Sequence, residues 1–401
     1  MILEGKIINQ NNEGLGIIRN NNKIVFVPFS LPDEVIDYEI IKENKKYDEG
    51  KLLKVKNGCN ERQDAKCPYY FNCGGCDLMH QKYEYQLNFK VNKVINNLKH
   101  ISNINIDNVD IESNNEFNYR NHITLSVSSD KIGFYNNHTN EIVDIDYCFI
   151  SNDKINNVLK EIREFINKYK NNNIDRISIK AYNEILINIE SNNFNLISEF
   201  KEFIKFDSLY VNGEYVLGKR YVTANLDKYK YNVSSRDFFQ KNTEMTVKLY
   251  SYVKGLLNKD ENILDLYCGS GGIGIFVSDK VKSVLGIEII DDAIKNAKEN
   301  AKINNVDNIK FIRGKVEDNL DNIKNIDTVI VDPPRVGLNR NAIDDILKID
   351  ANRIIYVSCN SITLARDLNY LKDKYKIESI KLFDLFPNTH HVESVVLLKR
   401  I

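Results

Sequence analysis

Asp265-Leu266-Tyr267-Cys268-Gly269-Ser270-Gly271 decides the architecture of this 401-residue chain. An apolar strand, Ile263 to Leu266, runs into the stretch, and Gly269-x-Gly271-x-x-Gly274 opens a helix beyond it. Glycines at such a junction let the backbone approach a nucleotide-like ligand, and an acid at the next strand end, Glu288, can hold two ribose hydroxyls. Downstream, Ser283 to Ile287, Ile309 to Ile312, Thr328 to Val331 and Ile354 to Val357 read as strands, with helical stretches such as Asp291 to Asn304 between them. That alternation predicts a doubly wound, Rossmann-like α/β domain over 233–401, binding ligands at the carboxyl ends of its strands.

Upstream the pattern changes. Ile7-Ile8, Ile17-Ile18, Ile24 to Val27, Val35 to Ile41 and Lys51 to Val55 recur at short intervals, so 1–58 is expected to be a small barrel of the OB type. Residues 59–232 read as a β-rich central domain that begins with an irregular cysteine cluster and has a helix near Asp153 to Tyr169. Tyr85, Phe89, Val91, Val94, Ile95 and Leu98 have helical spacing, which predicts a helix over about 78–100 that can pack on the catalytic domain.

Composition excludes little. Lys plus Arg (55) nearly balances Asp plus Glu (56), so a polyanionic partner, if any, is met by a local basic surface. No apolar run nears the roughly 20 residues that span a bilayer, and Met1-Ile2-Leu3-Glu4 is unlike a signal peptide. A cytoplasmic protein without membrane association is expected. Seven cysteines in such a compartment are read as metal ligands, catalysts or small buried residues rather than disulfides.

The glycine loop alone does not separate NAD from S-adenosylmethionine, since both carry the ribose. Asp265 is placed to meet the cationic amino acid part of S-adenosylmethionine, and nothing obvious serves a nicotinamide. Asp332-Pro333-Pro334-Arg335, ending the fourth strand, resembles the acidic-Pro-Pro motifs of methyltransferases that modify nucleobases. With Phe238-Phe239-Gln240-x-Asn242, Ser358-Cys359-Asn360, Leu364-Ala365-Arg366-Asp367 and His391-Val392-Glu393 in order, the chain resembles the RNA uracil-5-methyltransferase family over nearly its whole length.

The chemistry of that family explains two of these residues. C5 of uracil is a poor nucleophile until a thiolate adds at C6, and a base must then remove the C5 proton so that the thiol can leave. Cys359, before a predicted helix over about 361–372 whose N-terminus is expected to lower the thiol pKa, suits the first task, and Glu393 suits the second. The resemblance assigns them the same roles. It also implies that Gln240, Tyr267, Gly272, Glu288 and Asp332 surround the cofactor and the bound base. Phe238 reads equally as a stacking or a core aromatic, and His390 and His391 as a turn or RNA contact rather than a metal site.

Cys67-x5-Cys73-x2-Cys76 supplies three thiols, with Cys148 the best fourth, and four thiolates suit zinc or an iron–sulfur cluster. The Cys-Gly-Gly-Cys-x-Leu-x-His run resembles the ribosomal RNA branch of the family, which implies a 4Fe-4S cluster there and an N-terminal TRAM domain. The expected partner is then RNA, 23S ribosomal RNA in particular, with no obligate protein partner. The transfer RNA branch is expected to lack both barrel and cluster. Competing readings are a transfer RNA enzyme with the same chemistry, an inactive RNA-binding assembly factor, and, more distantly, an NAD oxidoreductase.

Overall fold

The computed structural model describes residues 1–128, 130–137, 139–320 and 323–401. Its N-terminal sheet runs Ile2–Lys6, Val35–Glu43, Tyr47–Asn57, Lys23–Val27, Gly16–Asn20, Asn9–Gln10. Ile2–Lys6 pairs with Val35–Glu43, and the same stretch of chain, continued through Ile7 and Ile8, pairs with Gly16–Asn20 on the other side. The curl therefore closes on one bent strand, giving five strands in the order 1-2-3-5-4-1 of an OB-type barrel. Ile7, Ile18, Val25, Val27, Ile36 and Tyr38 fill it.

The central sheet has seven strands, in the order Ile142–Asp144, Lys131–Tyr135, His122–Ser128, Arg176–Ala181, Ile185–Glu190, Ser208–Val211, Glu214–Gly218. The helix Asp153–Lys168 covers it with Ile155, Leu159, Ile162 and Phe165 fully buried, as its spacing predicts. A short second helix, Ile197–Phe203, has too few turns to leave a periodic signal.

The catalytic sheet orders its strands Ile309–Arg313, Ser283–Glu288, Asn262–Leu266, Thr328–Val331, Arg353–Ser358, Glu393–Arg400, Tyr375–Phe383, with Asp110–Glu112 at the far edge. The first five are parallel, and Thr328–Val331 is buried at every position because helices cover both faces. Glu393–Arg400 inserts antiparallel between its neighbours. Order reverses between Asn262–Leu266 and Thr328–Val331, the switch point where such sheets bind ligands.

The helix expected from about residue 78 starts at Tyr83 and ends at Ser102. Leu78 lies before it in a turn, its N–H and that of Asp77 both donating to the Asn388 carbonyl (3.0 and 2.9 Å). The helix packs on the catalytic sheet's helix Ser361–Leu371, where Asn97 Nδ2 donates to Ser361 Oγ at 2.8 Å. Lys90 forms a fully buried ion pair with Asp384 at 2.6 Å. Among the described residues, no helix is long and apolar enough to cross a membrane.

Candidate active site

Strand register brings the two proposed reactive residues together. Ser358 pairs with Ser394 in the antiparallel ladder, so Cys359 and Glu393 are the next residues opposite one another. Opposed residues in such a ladder share a face of the sheet, with Cα atoms about 5 Å apart. Cys359 is fixed by its neighbours: Asn360 N–H donates to Ser358 Oγ (3.2 Å), and Asn360 Oδ1 caps the following helix by accepting from Ile362 N–H (3.1 Å). Asn360 Nδ2 also donates to the Arg335 carbonyl (3.0 Å), tying the Pro-Pro-Arg turn to the thiol's loop.

Here one expectation fails. The thiol pKa is not lowered but pushed up to about 12, first by burial and then by the Glu393 and Asp332 carboxylates, with Arg335 pulling the other way. Burial and Asp332 likewise raise Glu393 to about 8.

The cofactor loop turns as its glycines require. Tyr267, Gly269 and Gly271 have φ of 62°, 55° and 81°, and Gly271 caps the helix Gly272–Val277. Gly274 permits a close approach: its N–H donates to Asp265 Oδ2 at 3.0 Å, and a Cβ there would sit 2.9 Å from that oxygen. Glu288 accepts from Gly269 N–H (3.2 Å) and Ile290 N–H (2.9 Å), so the strand-end acid is locked onto the loop. Asp265, raised to about 8 by burial, Asp332 and Glu288, and Asp332, raised to about 7 by burial, face each other across the switch point. The Tyr267 ring is partly buried against the apolar layer of Leu266 and Val331, where burial and the Glu317, Asp367 and Glu288 carboxylates raise its pKa.

Tyr250 was not singled out by any motif, yet it joins the parts. Its hydroxyl bonds with Gln240 and senses Asp332, Asp265 and Glu393, and a Cβ on Gly272 would lie 2.8 Å from it. It sits on the helix Thr243–Gly255 with ordinary helical spacing, so the sequence gives no signal for it. Phe238 is 73% exposed, which removes the core reading, whereas Phe239 is buried against Tyr182 and Tyr231. His390 Nδ1 contacts Asp77 Oδ2 (2.6 Å) and His391 Nε2 lies 3.4 Å from the Arg335 guanidinium.

The model for tRNA (uracil-5-)-methyltransferases matches residues 82–401. The chain belongs to that family. It is an S-adenosylmethionine-dependent RNA uracil-5-methyltransferase by that membership. An uncharacterized RNA methyltransferase of Clostridium acetobutylicum is 35% identical, covering 97% of this chain and 95% of the relative. One from Aquifex aeolicus is 32% identical, covering 96% of each. A solved tRNA (uracil-54, C5)-methyltransferase of Pyrococcus abyssi, in complex with S-adenosyl-L-homocysteine, is 31% identical with a TM-score of 0.84, covering 99% of this chain and 100% of that one. The match includes the N-terminal barrel, so possession of a barrel does not separate ribosomal from transfer RNA enzymes. The expectation that the transfer RNA branch lacks it is corrected on that point.

The four cysteines of the central region line one partly open cavity. Cys67, Cys73, Cys76 and Cys148 line it with Met79, Phe134 and Ile150. They lie near enough for charge on one to affect the others. Among the described residues, however, no group of three or more His, Cys, Asp or Glu side chains is gathered as for a metal ion. Cys59 stands apart beside Glu34, and Cys268 is buried in the cofactor loop behind Gly286.

Proposed function

We propose that this methyltransferase makes 5-methyluridine in RNA through a covalent adduct between Cys359 and uracil C6. The observation that carries the reading is that Cys359 and Glu393 lie one step beyond the last ladder pair, Ser358–Ser394, close enough for the carboxylate to act on the thiol, at the end of the sheet where Asp265, Glu288 and Asp332 cluster. The target uridine leaves its stack to reach the thiol. Cys359 reacts as the thiolate, its proton having passed to solvent, and as its sulfur bonds to C6 charge moves through the ring to C5. Carbon 5 takes the methyl group while the donor departs as the neutral thioether. Glu393 then accepts the C5 proton, the sulfur–C6 bond breaks, and the thiolate is restored.

Gln240, Tyr267, Gly272, Glu288 and Asp332 hold the cofactor and base in this reading, Glu288 at the ribose hydroxyls and Gly272 through its backbone. The bound donor supplies a transferable methyl on a cationic sulfonium. Together with Arg335, that positive charge would offset the carboxylates that add to burial in holding the thiol pKa of Cys359 up in the free protein.

Cys67, Cys73, Cys76 and Cys148 hold a 4Fe-4S cluster, for which a shared cavity walled by four thiols is the supporting observation. A cluster bound through one thiolate per iron needs its ligands spread around a cavity rather than gathered on one ion. The uracil chemistry uses no electron transfer, so its role is structural. The barrel, read as a TRAM domain, grips the RNA together with the central sheet.

The proposed target is 23S ribosomal RNA in the cytoplasm, with no obligate protein partner. The Pyrococcus abyssi neighbour supports transfer RNA as the second reading. Incubating the anaerobically purified protein with labelled donor and unmodified transcripts of both RNAs, then mapping the product, decides between them. Absence of 5-methyluridine in both would reject the proposed reaction.

A further inference from the structure

Three cations converge where the central sheet meets the catalytic domain; among the described residues none is held in an ion pair, although Arg335 lies close enough to Glu393 to favour its charged form. Lys241 follows Gln240, and its carbonyl accepts from Asn121 N–H at 2.9 Å. Arg120 precedes Asn121 and bridges to Asn242, so the backbones of 120–121 and 240–242 lie side by side. Asn121 Nδ2 strengthens the seam by donating to the Gln240 carbonyl (3.1 Å) and Thr243 Oγ1 (2.8 Å). Arg335 approaches from the turn that also carries Asp332 and is bonded to the Cys359 loop.

These side chains have little to do within the protein. Arg120 Nε donates to the His122 carbonyl (3.0 Å), Arg335 reaches His391 at 3.4 Å, and Lys241 makes no side-chain hydrogen bond that the structure displays. Among the described residues, none of the three forms an ion pair. Burial, Arg120 and Arg335 together pull the Lys241 ammonium down to about 8, so the three lie close enough to repel one another. Their neighbours offset them only in part: Glu393 acts on Arg335 alone, and Lys180 adds a fourth positive charge, though its ammonium is taken up by the carbonyls of Ser234, Ser235 and Asp237. The nearest acid on this segment, Asp237, is engaged by Ser234 N–H and Asn296 Nδ2. Arg120 and Lys241 are half-buried and Arg335 is exposed at their edge, and crowding such like charges opposes folding unless an anion completes the group.

We infer that Arg120, Lys241 and Arg335 form a cradle for a backbone phosphate of the RNA strand, beside the nucleotide that enters the Cys359 site. The inference rests on the proposed reaction for its ligand. Everting a nucleotide brings its flanking phosphates against the protein at the mouth of the site, and the cradle lies there, between Gln240 on one side and the Cys359 loop on the other. Its geometry also gives Arg120 a second connection, since Arg120 lines the cysteine cavity as well. The cradle therefore helps to fix where the strand enters, independently of which base is read.

The test is binding of a fluorescent, uridine-rich single-stranded RNA to the full chain, measured by anisotropy over a range of salt. Removing one phosphate contact reduces the slope of log affinity against log salt by about 0.7. Lys241→Met is expected to show that reduction and several-fold weaker binding at moderate salt, and Lys241→Arg to restore both. Lys201→Met, on the exposed face of the helix Ile197–Phe203, is expected to leave the slope unaltered. Thermal unfolding and donor binding of each variant separate loss of the contact from loss of the fold. An unchanged slope in a folded Lys241→Met protein, or no salt-dependent RNA binding by the native chain, overturns the cradle. Methyl transfer is assayed separately, so failure of the proposed reaction is distinguishable from failure of the cradle.

Discussion

The catalytic edge and the cysteine cavity are both lined by thiols, but different constraints put them there. Cys359 and Glu393 are opposed because two adjacent strands have a fixed register, and shifting either strand by one residue would turn them to opposite faces. Cys67, Cys73 and Cys76 lie on irregular chain, and Cys148 meets them only through the folding of the central sheet. The regions are nevertheless joined. Asp77, next to Cys76, contacts His390, and its N–H and that of Leu78 hold Asn388, in the loop that leads to Glu393. The comparison separates a site whose geometry is made by the sheet from one whose geometry needs a further constraint.

The largest effect is expected at the sheet-made site. Cys359→Ala should lower methyl transfer by a factor on the order of 10⁴ or more, with donor affinity retained. Product formation in single turnover measures this. Transfer surviving the change would break the covalent reading, whatever the cysteine cavity holds. Glu393→Gln should slow the reaction by about 10²- to 10⁴-fold at a later stage, after the methyl has moved. A protein–RNA adduct stable on a denaturing gel should therefore accumulate, and should vanish in the double variant with Cys359→Ala.

Near the link between the regions, the helix Tyr83–Ser102 is fastened to the catalytic sheet at Lys90, whose ammonium is held by Asp384 (2.6 Å) and the Phe386 carbonyl (3.1 Å). Lys90→Met strands a buried carboxylate and should cost about 3–5 kcal/mol of stability, read by denaturant unfolding. Adding Asp384→Leu should recover a large part of it, because neither charge is then left unpaired. At the cysteine cavity, Cys148→Ser should lower bound iron and its visible absorbance in anaerobically purified protein, while Cys268→Ser should not. Equal iron in both variants would remove the cluster from the comparison.

Legibility followed the same divide. The glycine loop, the strand-end acids and the 3.6-residue pattern of Asp153–Lys168 are local signals, and the five parallel strands of the catalytic sheet lie where their apolar runs predict, whereas Tyr375–Phe383 and the edge strand Asp110–Glu112 were not foreseen in it. Leu78 was misread as helical because its buried side chain fits the apolar stripe, whereas the backbone there is held by Asn388, over 300 residues away. Tyr250 and the Lys241 cluster depend on elements meeting in space, and neither residue stands out in its own segment. The thiol pKa was misjudged for the same reason: the helix start is local, but the opposing carboxylates at 332 and 393 are not.

The smallest expected effect concerns protons and tests how strongly the sheet-made site depends on its ligand. Asp265, Asp332 and Glu393 are held at about 8, 7 and 8, chiefly by burial and by one another, against ordinary carboxylate values near 4. The folded, ligand-free protein thus keeps protons that the unfolded chain releases above about pH 4. The stability these groups contribute is complete below that point and is lost as pH rises through 7 to 8. The interacting acids titrate as a group rather than singly. A cationic methyl donor prefers the deprotonated group, so its affinity should rise across the same interval, by up to about tenfold per pH unit for each proton released. Calorimetric titration from pH 6 to about pH 9 reads this directly. S-adenosylhomocysteine, which lacks the sulfonium charge, should show the shallower dependence, and equal slopes for the two ligands would mean that the acids do not face the methyl-bearing sulfur.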